Sequence, residues 1–318
     1  MKKLRIGVVG TGYLGKFHAE KYAQMDEVDL VGVVDIDRAQ AKQVAKTVNA
    51  GIYTNHKDLF GKIDAASVVV PTPAHFVVAK DLLKHDIDVL IEKPITTTLK
   101  DADELIAIAG SKGLIIQVGH LERFNPAVIA LNDMIAQPMF LESHRLSIYK
   151  ERCTDVNVVL DLMIHDIDLI LNFVQSDIVD IRASGIPVVS DHVDIANARL
   201  EFKNGCVANV TASRISTRNE RKIRLFQKDS YLTVDFANHE VTVIKRNGNN
   251  ETDPIPGMGI QRFCYTKSDA LKDELTSFIN AVTKRLTPKV TGRMGRDALK
   301  IALSTMEQIS DTNRRFFA

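Results

Sequence analysis

Along the first 119 residues, short apolar runs alternate with amphipathic stretches. Runs such as LRIGVV at 4–9 and AASVVV at 65–70 have the length and composition of buried strands. The stretches between them have helical spacing. Alternating strands and helices with almost continuously apolar strands predict a parallel, doubly wound α/β sheet. The predicted strands are 4–9, 29–34, 65–70, 87–91 and 114–118, with helices up to about 25 and at 37–49, 74–84 and 99–111.

From residue 120 the pattern changes to strands separated by hairpin signals, such as Lys203-Asn204-Gly205. Strands that are mostly antiparallel, following the alternating strands and helices of the first 119 residues, predict a C-terminal α+β domain with an open-faced sheet. We expect a helix at 158–174 to cover one face and a second copy of the chain the other. The predicted strands are 139–149, 178–186, 193–202, 206–215, 221–227, 230–236 and 240–245, with further helices at 125–136, 268–284 and 294–312.

A glycine-rich segment follows the first strand and opens the first helix. Gly10 permits a tight turn, Gly12 lets a pyrophosphate approach the backbone, and Gly15 allows close packing of helix on strand. The N-terminus of the helix favours an anion. In this context the segment predicts an N-terminal Rossmann domain over 1–119 that binds a dinucleotide, an empty nucleotide fold being the alternative. Its candidate phosphate-binding residues are Gly10, Thr11, Gly12, Tyr13, Leu14 and Gly15.

Asp35 closes the second strand, 20 residues after the last glycine of the motif. A carboxylate there can accept hydrogen bonds from a ribose diol and would repel a 2′-phosphate. NAD is therefore predicted rather than NADP, although Arg38 could soften that preference.

Two segments that follow later strands of the first domain carry candidate site residues. Pro71 and Thr72 begin a stiff loop that ends in His75 and could line the nicotinamide, or form only a rigid turn. Glu92 and Lys93 follow the 87–91 strand, where ligands of doubly wound sheets gather. A solvated loop lysine is the alternative for Lys93.

DLMIHDIDLI at 161–170 places ionisable residues on a strongly apolar helix. At about 100° per residue, Asp161, His165 and Asp168 fall on one stripe roughly 60° wide, with Asn172. Asp166 lies among the apolar residues. Such a stripe on a buried helix is either an internal hydrogen-bond network or an active site.

Composition restricts the function classes. The 318 residues carry 41 basic and 40 acidic side chains, so no net field favours nucleic acid or membrane. The three cysteines are widely spaced and form no zinc-type cluster. No run of 18 apolar residues occurs. We expect a cytoplasmic protein that needs no metal and has no nucleic-acid or membrane partner.

Taken together, the motifs resemble the glucose–fructose oxidoreductase / inositol dehydrogenase (Gfo/Idh/MocA) family of nicotinamide enzymes. They are GTGYLG at 10–15, PTPAH at 71–75, EKPI at 92–95, GHLERFNP at 119–126, the Asp161-x-x-x-His165 helix and GRMGRDALKIA at 292–302. The resemblance implies a second domain over 120–318 that binds substrate and assembles dimers or tetramers. Its last helix could pack back on the first domain. It also implies oxidation of a sugar or polyol hydroxyl.

The family's catalytic residues correspond to Lys93, Asp161 and His165. A histidine with a near-neutral pKa suits the base that takes the hydroxyl proton. Asp161 could orient its ring, and Lys93 could stabilise charge on the reacting oxygen. Whether Lys93 or His165 takes the proton stays open. A zinc site on Asp161 and His165 is a further alternative, but it lacks an evident third ligand.

This chain departs from the commonest family pattern at Val156-Asn157 and Met163, positions often held by glycine. DVNVVLDLMIHDIDLI instead resembles the subgroup of nucleotide-sugar enzymes that oxidise UDP-N-acetylglucosamine at C3. Such a substrate needs partners for its diphosphate. Oxidation of a free polyol such as inositol is the alternative activity, and a non-catalytic dinucleotide-binding regulator is the alternative class. The candidate substrate-binding residues are Arg123, Asn125, Arg145, Lys150 and Arg152, of which the charged ones could equally be surface charges.

Overall fold

The computed structural model describes residues 3–149, 156–246, 255, 257–266 and 268–317. The chain divides into two compact units. The first consists of Met1–Leu121 and Asp269–Leu299, and the second of Glu122–Ser268 and Lys300–Ala318. The first unit is thus built from two separate stretches of sequence. The assignment of cofactor binding and substrate binding to domains that meet at residue 119 stays a prediction.

Six parallel strands form the sheet of the first unit, in the order β3-β2-β1-β4-β5-β6. This order reverses direction between β1 and β4, and ligands of doubly wound sheets bind at such a point. The predicted parallel sheet is confirmed, with β3 as an additional strand too short to detect from its pattern. The strands are β1 (Leu4–Val9), β2 (Val28–Val34), β3 (Gly51–Tyr53), β4 (Ala65–Val68), β5 (Asp88–Glu92) and β6 (Ile116–Gly119).

Helices pack on this sheet through their apolar faces. Phe278 and Leu275 are fully buried in the same cluster as Ile6 and Val8 of β1, so a late segment of the chain completes this core. Side-chain caps fix the starts of several helices; Asp37, for example, accepts from the amide of Ala39. The helices are α1 (Tyr13–Tyr22), α2 (Arg38–Val48), α3 (Thr72–Lys84), α4 (Leu99–Lys112) and α7 (Ala270–Lys284).

Eight strands form the sheet of the second unit, in the order β14-β13-β12-β11-β7-β10-β9-β8. Only β7 and β10 pair in parallel, so the predicted, mostly antiparallel sheet is confirmed. The last strand, β14, was not predicted. The strands are β7 (Pro138–Leu146), β8 (Ile178–Ile186), β9 (Ile195–Phe202), β10 (Val207–Ser213), β11 (Glu220–Gln227), β12 (Ser230–Asp235), β13 (Glu240–Arg246) and β14 (Met258–Cys264).

The helix predicted at 158–174 packs on this sheet as expected but is not uniform. Val159–Met163 forms a π-helical turn, and α6 (Ile164–Val174) continues it as an α-helix that contacts β7 and β10. The predicted helix is present, but its first turn is π-helical because the Ile164 amide donates to the carbonyl of Val159, five residues earlier.

Two further helices complete the chain. The helix predicted at 125–136 is shorter: α5 (Pro126–Asn132) follows a 3-10 turn over Leu121–Phe124 and ends four residues before the predicted end. The final helix is α8 (Gly292–Phe317). Among the residues that the structure describes, no helix is both long and apolar enough to cross a bilayer.

Candidate active site

The glycine-rich loop has the geometry that its three glycines predict. Gly10 adopts a positive φ of 97°, and a Cβ there would lie 2.4 Å from the carbonyl oxygen of Val69. A Cβ on Gly15 would lie 1.9 Å from the carbonyl oxygen of Gly10, so only glycine lets α1 start this close to the loop. Gly12, the N-cap of α1, faces open space. The loop therefore leaves room for a ligand at a helix N-terminus that attracts anions.

Thr11 ties this loop to Asp35 at the end of β2. The Thr11 amide and hydroxyl both donate to Asp35 Oδ2, at 2.8 and 2.7 Å, and the Asp37 amide donates to Oδ1 at 3.0 Å. Burial opposes ionisation, but these hydrogen bonds outweigh it and hold the pKa of the Asp35 carboxyl below its usual value. Asp35 is thus an ionised acceptor beside the glycine-rich loop. Arg38 is exposed at the start of α2.

A cavity of about 300 Å³ opens beside the loop, between α1 and α2. Gln40 forms part of its wall and donates to the carbonyl of Thr11 at 2.8 Å. Ile36, next to Asp35, is 95% exposed, which is unusual for so large an apolar side chain. No sequence pattern marks Ile36, because only its exposure distinguishes it from the other aliphatic residues of the region. The cavity is lined by Thr11, Gly12, Tyr13, Lys16, Gln40, Gln43, Val44 and Thr47.

The predicted loop at 71–75 is the beginning of a helix. Pro71 is the N-cap of α3 and Thr72 its first residue, so the prediction of a loop through His75 was wrong. Proline is well tolerated at such a start, because the missing amide has no helical partner there. The His75 ring is buried, with Nδ1 2.9 Å from the carbonyl oxygen of Pro94 and Nε2 2.8 Å from that of Val70. Burial lowers the pKa of His75, although both carbonyls favour the imidazolium.

Glu92 and Lys93 lie at the end of β5. The Lys93 amide donates to Glu92 Oε2 at 3.3 Å, and His18 Nε2 lies 3.2 Å from Oε1. Burial opposes ionisation of Glu92, but His18 and Lys93 outweigh it and hold the pKa of this carboxyl below its usual value. Lys93 itself is half-buried. The sequence analysis did not identify His18, which lies 74 positions from its partner in the chain.

In the second unit, Asp161 lies in the π-helical turn and His165 in the first turn of α6. Both side chains are half-buried, while the flanking Val159, Met163 and Ile164 are fully buried. Asn157 starts the element, because its side chain accepts from the Val159 amide and its carbonyl from the Asp161 amide. π-Turns within helices are frequently found at functional sites. Of the polar residues of this segment, Asp161, His165 and Asn172 keep partial access to the surface, whereas Asp166 and Asp168 are buried.

The other two aspartates of this helix bind buried arginines. Arg123 makes a two-pronged ion pair with Asp168, at 2.6 and 2.9 Å, and Arg145 makes one with Asp166, at 2.9 and 2.8 Å. Arg145 also donates to Glu122 at 2.9 Å and holds the pKa of that carboxyl below its usual value despite its burial. Each guanidinium is at most 6% exposed.

The five predicted substrate-binding residues are therefore in different situations. Arg123 and Arg145 are committed to carboxylates of their own unit, which disfavours a direct contact with a diphosphate. Asn125 is buried and caps α5 by accepting from the Ala127 amide. Lys150 and Arg152 lie outside the described residues. A further arginine, Arg214, is 6% exposed and donates to the carbonyl of Val156.

The first unit brings Thr11 and Asp35 together, and it carries Lys93. Asp161 and His165 belong to the second unit. Across the described ranges, no group of three or more histidine, cysteine, aspartate or glutamate side chains has an arrangement that could hold a metal ion.

A parallel sheet ordered 3-2-1-4-5-6, a glycine-rich turn and an acid at the end of β2 define a dinucleotide-binding oxidoreductase. Residues 4–120 match the model of an oxidoreductase family with an NAD-binding Rossmann fold, and residues 138–232 match the GFO/IDH/MocA C-terminal domain. The chain belongs to the GFO/IDH/MocA family of oxidoreductases, and the resemblance inferred from its motifs is confirmed.

Similarity to individual relatives extends over the whole chain. UDP-N-acetylglucosamine 3-dehydrogenase from Acidithiobacillus ferrooxidans is 38% identical over 304 residues, which cover 95% of this chain and 96% of the relative. A crystal form of that enzyme superimposes with a TM-score of 0.91, covering 97% and 98% of the two chains. Myo-inositol 2-dehydrogenase from Thermotoga maritima is 22% identical over 97% of each chain.

A scyllo-inositol dehydrogenase from Lactobacillus casei, solved with bound NAD(H) and scyllo-inositol, shares the fold. It superimposes with a TM-score of 0.82 at 20% identity, covering 98% of both chains.

Proposed function

We propose that this enzyme oxidises a secondary hydroxyl of a nucleotide sugar to a ketone with NAD, and that its substrate is UDP-N-acetylglucosamine, oxidised at C3. The observation that carries this proposal is the similarity to the A. ferrooxidans enzyme, at 38% identity from end to end. The inositol dehydrogenases are more distant, at 22% identity for the T. maritima relative.

The first unit would hold the dinucleotide. Gly12 and the N-terminus of α1 fit a pyrophosphate, because the glycine leaves the backbone accessible there. Asp35, ionised and held by Thr11, would accept from the ribose hydroxyls and repel a 2′-phosphate. The exposed Ile36 would contact the face of the adenine. The ionised state of Asp35 is the reason for preferring NAD to NADP.

Lys93, Asp161 and His165 would carry the chemistry. A bound nicotinamide supplies the hydride acceptor. His165 would take the hydroxyl proton, because a half-buried imidazole can exchange protons near neutral pH. Asp161 would orient the ring and stabilise the imidazolium. Lys93 would donate a hydrogen bond to the reacting oxygen as negative charge develops on it.

The diphosphate of such a substrate would bind cations other than Arg123 and Arg145. Both guanidiniums already contact buried carboxylates at 2.6–2.9 Å, and redirecting either would leave a buried carboxylate uncompensated. Of the predicted cations, this leaves Lys150 and Arg152, just before the segment that carries Asp161.

We also propose that the open face of the second sheet associates with a second copy of the chain. Buried Leu141, Leu225 and Leu232 face the helices, so alternation places their neighbours on the opposite side. There, Phe140, Phe226 and Tyr231 meet, with ring centroids 5.6 and 4.6 Å apart. Strand register extends this apolar row across six strands, from Val207 through Phe140, Phe226, Tyr231 and Ile244 to Ile260.

Turnover tests the substrate assignment. NAD reduction should be followed by NADH absorbance with UDP-N-acetylglucosamine, UDP-glucose, N-acetylglucosamine and myo-inositol, and the product analysed by mass spectrometry. We expect UDP-N-acetylglucosamine to be preferred and to lose two hydrogens. Preference for myo-inositol would favour the polyol activity instead. Tight NAD binding without NADH formation from a broad sugar panel would favour a regulator.

Light scattering of the protein as it elutes from a size-exclusion column measures its molar mass and tests this association with a second copy. We expect a dimer or tetramer, and Phe226→Glu should dissociate it because a charge would be buried in the apolar row. Val179→Glu, on the edge strand β8 where Val179 is 63% exposed, is the control. A wild-type monomer would contradict the proposal.

A further inference from the structure

Four polar side chains form a hydrogen-bonded chain inside the first unit. Tyr22 and His18 come from α1, Ser67 from β4 and Glu92 from the end of β5. Tyr22 Oη lies 2.8 Å from Ser67 Oγ, Ser67 Oγ lies 3.2 Å from His18 Nδ1, and His18 Nε2 lies 3.2 Å from Glu92 Oε1. Tyr22, Ser67 and His18 are completely buried. Buried polar chains of this kind cost free energy unless every member is satisfied.

Only one arrangement of hydrogens satisfies the chain with a neutral histidine. Glu92 is ionised and can only accept, so His18 Nε2 must donate to it. His18 Nδ1 is then an acceptor, Ser67 donates to it, and Tyr22 donates to Ser67. Burial raises the pKa of Tyr22, which keeps its phenol a donor. Every hydrogen bond of the chain therefore points towards the Glu92 carboxylate.

The Glu92 carboxylate in turn contacts Lys93. Oε2 accepts from the Lys93 amide at 3.3 Å, and the positive charge of Lys93 contributes to the lowered pKa of Glu92. Such an interaction is mutual, so the carboxylate favours the ammonium form of Lys93. Among the described residues, other titratable groups that interact with Glu92 include His18 and Tyr22 on α1 and His75 on α3.

Gly119 makes room for the Glu92 carboxylate. It pairs with Glu92 across β5 and β6, and a Cβ on Gly119 would lie 2.9 Å from the carboxylate carbon and from both oxygens. Any side chain there would displace Glu92 from His18. His18 of α1, Glu92 of the EKPI motif and Gly119 of the GHLERFNP motif thus meet at one carboxylate.

The series Ser67–His18–Glu92 has the order of a nucleophilic triad but not its accessibility. Ser67 is 0% exposed and its oxygen also contacts Tyr22, so no substrate carbonyl can reach it. Ser67 therefore has no access to a substrate. Glu92 is the member of this hydrogen-bonded chain that contacts Lys93, through the Lys93 amide.

We propose that His18 is a positioning residue for the oxidation: supported by Ser67 and Tyr22, it holds the Glu92 carboxylate in the space beside Gly119 and against Lys93, the residue that would donate to the reacting oxygen. The inference rests on the proposed function for the role of Lys93. It adds a residue of the dinucleotide-binding helix to the determinants of catalysis.

Two readouts test this inference. The first, independent of turnover, is the pH dependence with which an amine reagent labels Lys93, measured on its peptide by mass spectrometry. His18→Leu removes the donor to Glu92, and we expect the apparent pKa of Lys93 to fall by about one unit. The second is the pH profile of kcat: its decline on the alkaline side, where Lys93 loses its proton, should begin about one pH unit lower than in wild type, while NAD affinity changes less than about twofold.

Rescue and control variants separate positioning from a general packing effect. His18→Gln keeps an amide donor for Glu92 and should recover most of both readouts. His56→Leu removes a similar histidine–carboxylate pair of the same unit, in which His56 Nε2 lies 3.1 Å from Asp81 Oδ2, and should behave like wild type. Glu92→Gln, which removes the charge at constant size, should lower the pKa of Lys93 as His18→Leu does, and it carries the test if His18→Leu fails to fold.

An unchanged labelling curve in folded His18→Leu, or in Glu92→Gln, would overturn the inference. Failure of the wild-type enzyme to oxidise any sugar would instead contradict the proposed function. The labelling curves would still decide whether His18 and Glu92 control the charge of Lys93.

Discussion

Thr11 donates twice to a single oxygen of Asp35, from its backbone amide at 2.8 Å and from its hydroxyl at 2.7 Å. These two hydrogen bonds join the glycine-rich loop to the acid at the end of β2. The other carboxylate oxygen of Asp35, Oδ1, accepts from the Asp37 amide at 3.0 Å. This arrangement predicts how the enzyme distinguishes its dinucleotides.

Asp35→Ser should shift the preference from NAD towards NADP. The substitution removes an ionised acceptor for the ribose and the charge that repels a 2′-phosphate. Hydrogen bonds to charged groups contribute about 1.5–3 kcal/mol, so NAD affinity should fall roughly 10- to 100-fold. Calorimetric titration with both dinucleotides measures this, with Asp37→Ser as a neighbouring control. An unchanged ratio of the two affinities would show that Asp35 does not select the cofactor.

His165→Ala should reduce kcat by about 10²- to 10⁴-fold, the usual contribution of a general base, while NAD binding stays nearly constant. Steady-state kinetics and fluorescence titration with NAD separate the two effects. His144→Ala is a suitable control, because His144 is an exposed histidine of the same unit, on β7. If kcat were unaffected in His165→Ala, the base would have to be another group.

Arg123→Met should destabilise the protein rather than weaken substrate binding alone. Breaking its buried pair leaves Asp168 uncompensated, which typically lowers the free energy of unfolding by 3–5 kcal/mol. Urea denaturation measures this loss. Arg182→Met breaks an exposed pair with Asp180 and should change stability by less than about 1 kcal/mol. If the Arg123→Met variant were as stable as wild type but had a greatly raised KM, Arg123 would instead be a substrate-binding residue.

Asp194 should make stability dependent on acid pH. Burial opposes its ionisation, yet the amides of Val188, Val189 and Ser190 and the Ser190 hydroxyl lower the pKa of this carboxyl to about 2. Because the pKa is lower in the folded state, the stabilisation is complete above about pH 4. It is lost as the pH falls towards 2 and amounts to roughly 2 kcal/mol.

The unfolding free energies of wild type and Asp194→Asn, measured between pH 7 and 3, test this dependence. The difference between the two should be constant near neutrality and shrink below about pH 4. Asp29, an exposed aspartate, provides the control substitution Asp29→Asn. A difference that stayed constant down to pH 3 would contradict the low pKa of Asp194.

The dinucleotide loop was predictable because its signal is local: the glycines, the strand before them and Asp35 form one motif. The pairing of Arg123 with Asp168, 45 positions away, was not, since sequence shows two charges but not which buried partner each one meets. The same holds for His18 and Glu92. The short β3 and the weakly alternating β14 lacked enough pattern to be detected.

The π-helical turn at Val159–Met163 makes the number of residues in this segment part of the site. In a π turn the amide bonds to the carbonyl five residues earlier, whereas in an α turn it bonds to the carbonyl four residues earlier. A π turn therefore contains one residue more than an α turn. Deleting Leu162 or Met163 would let the segment close as an α-helix and shorten the spacing of Asp161 and His165 from four residues to three. The carboxylate and the imidazole would then meet at a different angle around the helix axis, although every catalytic residue would remain.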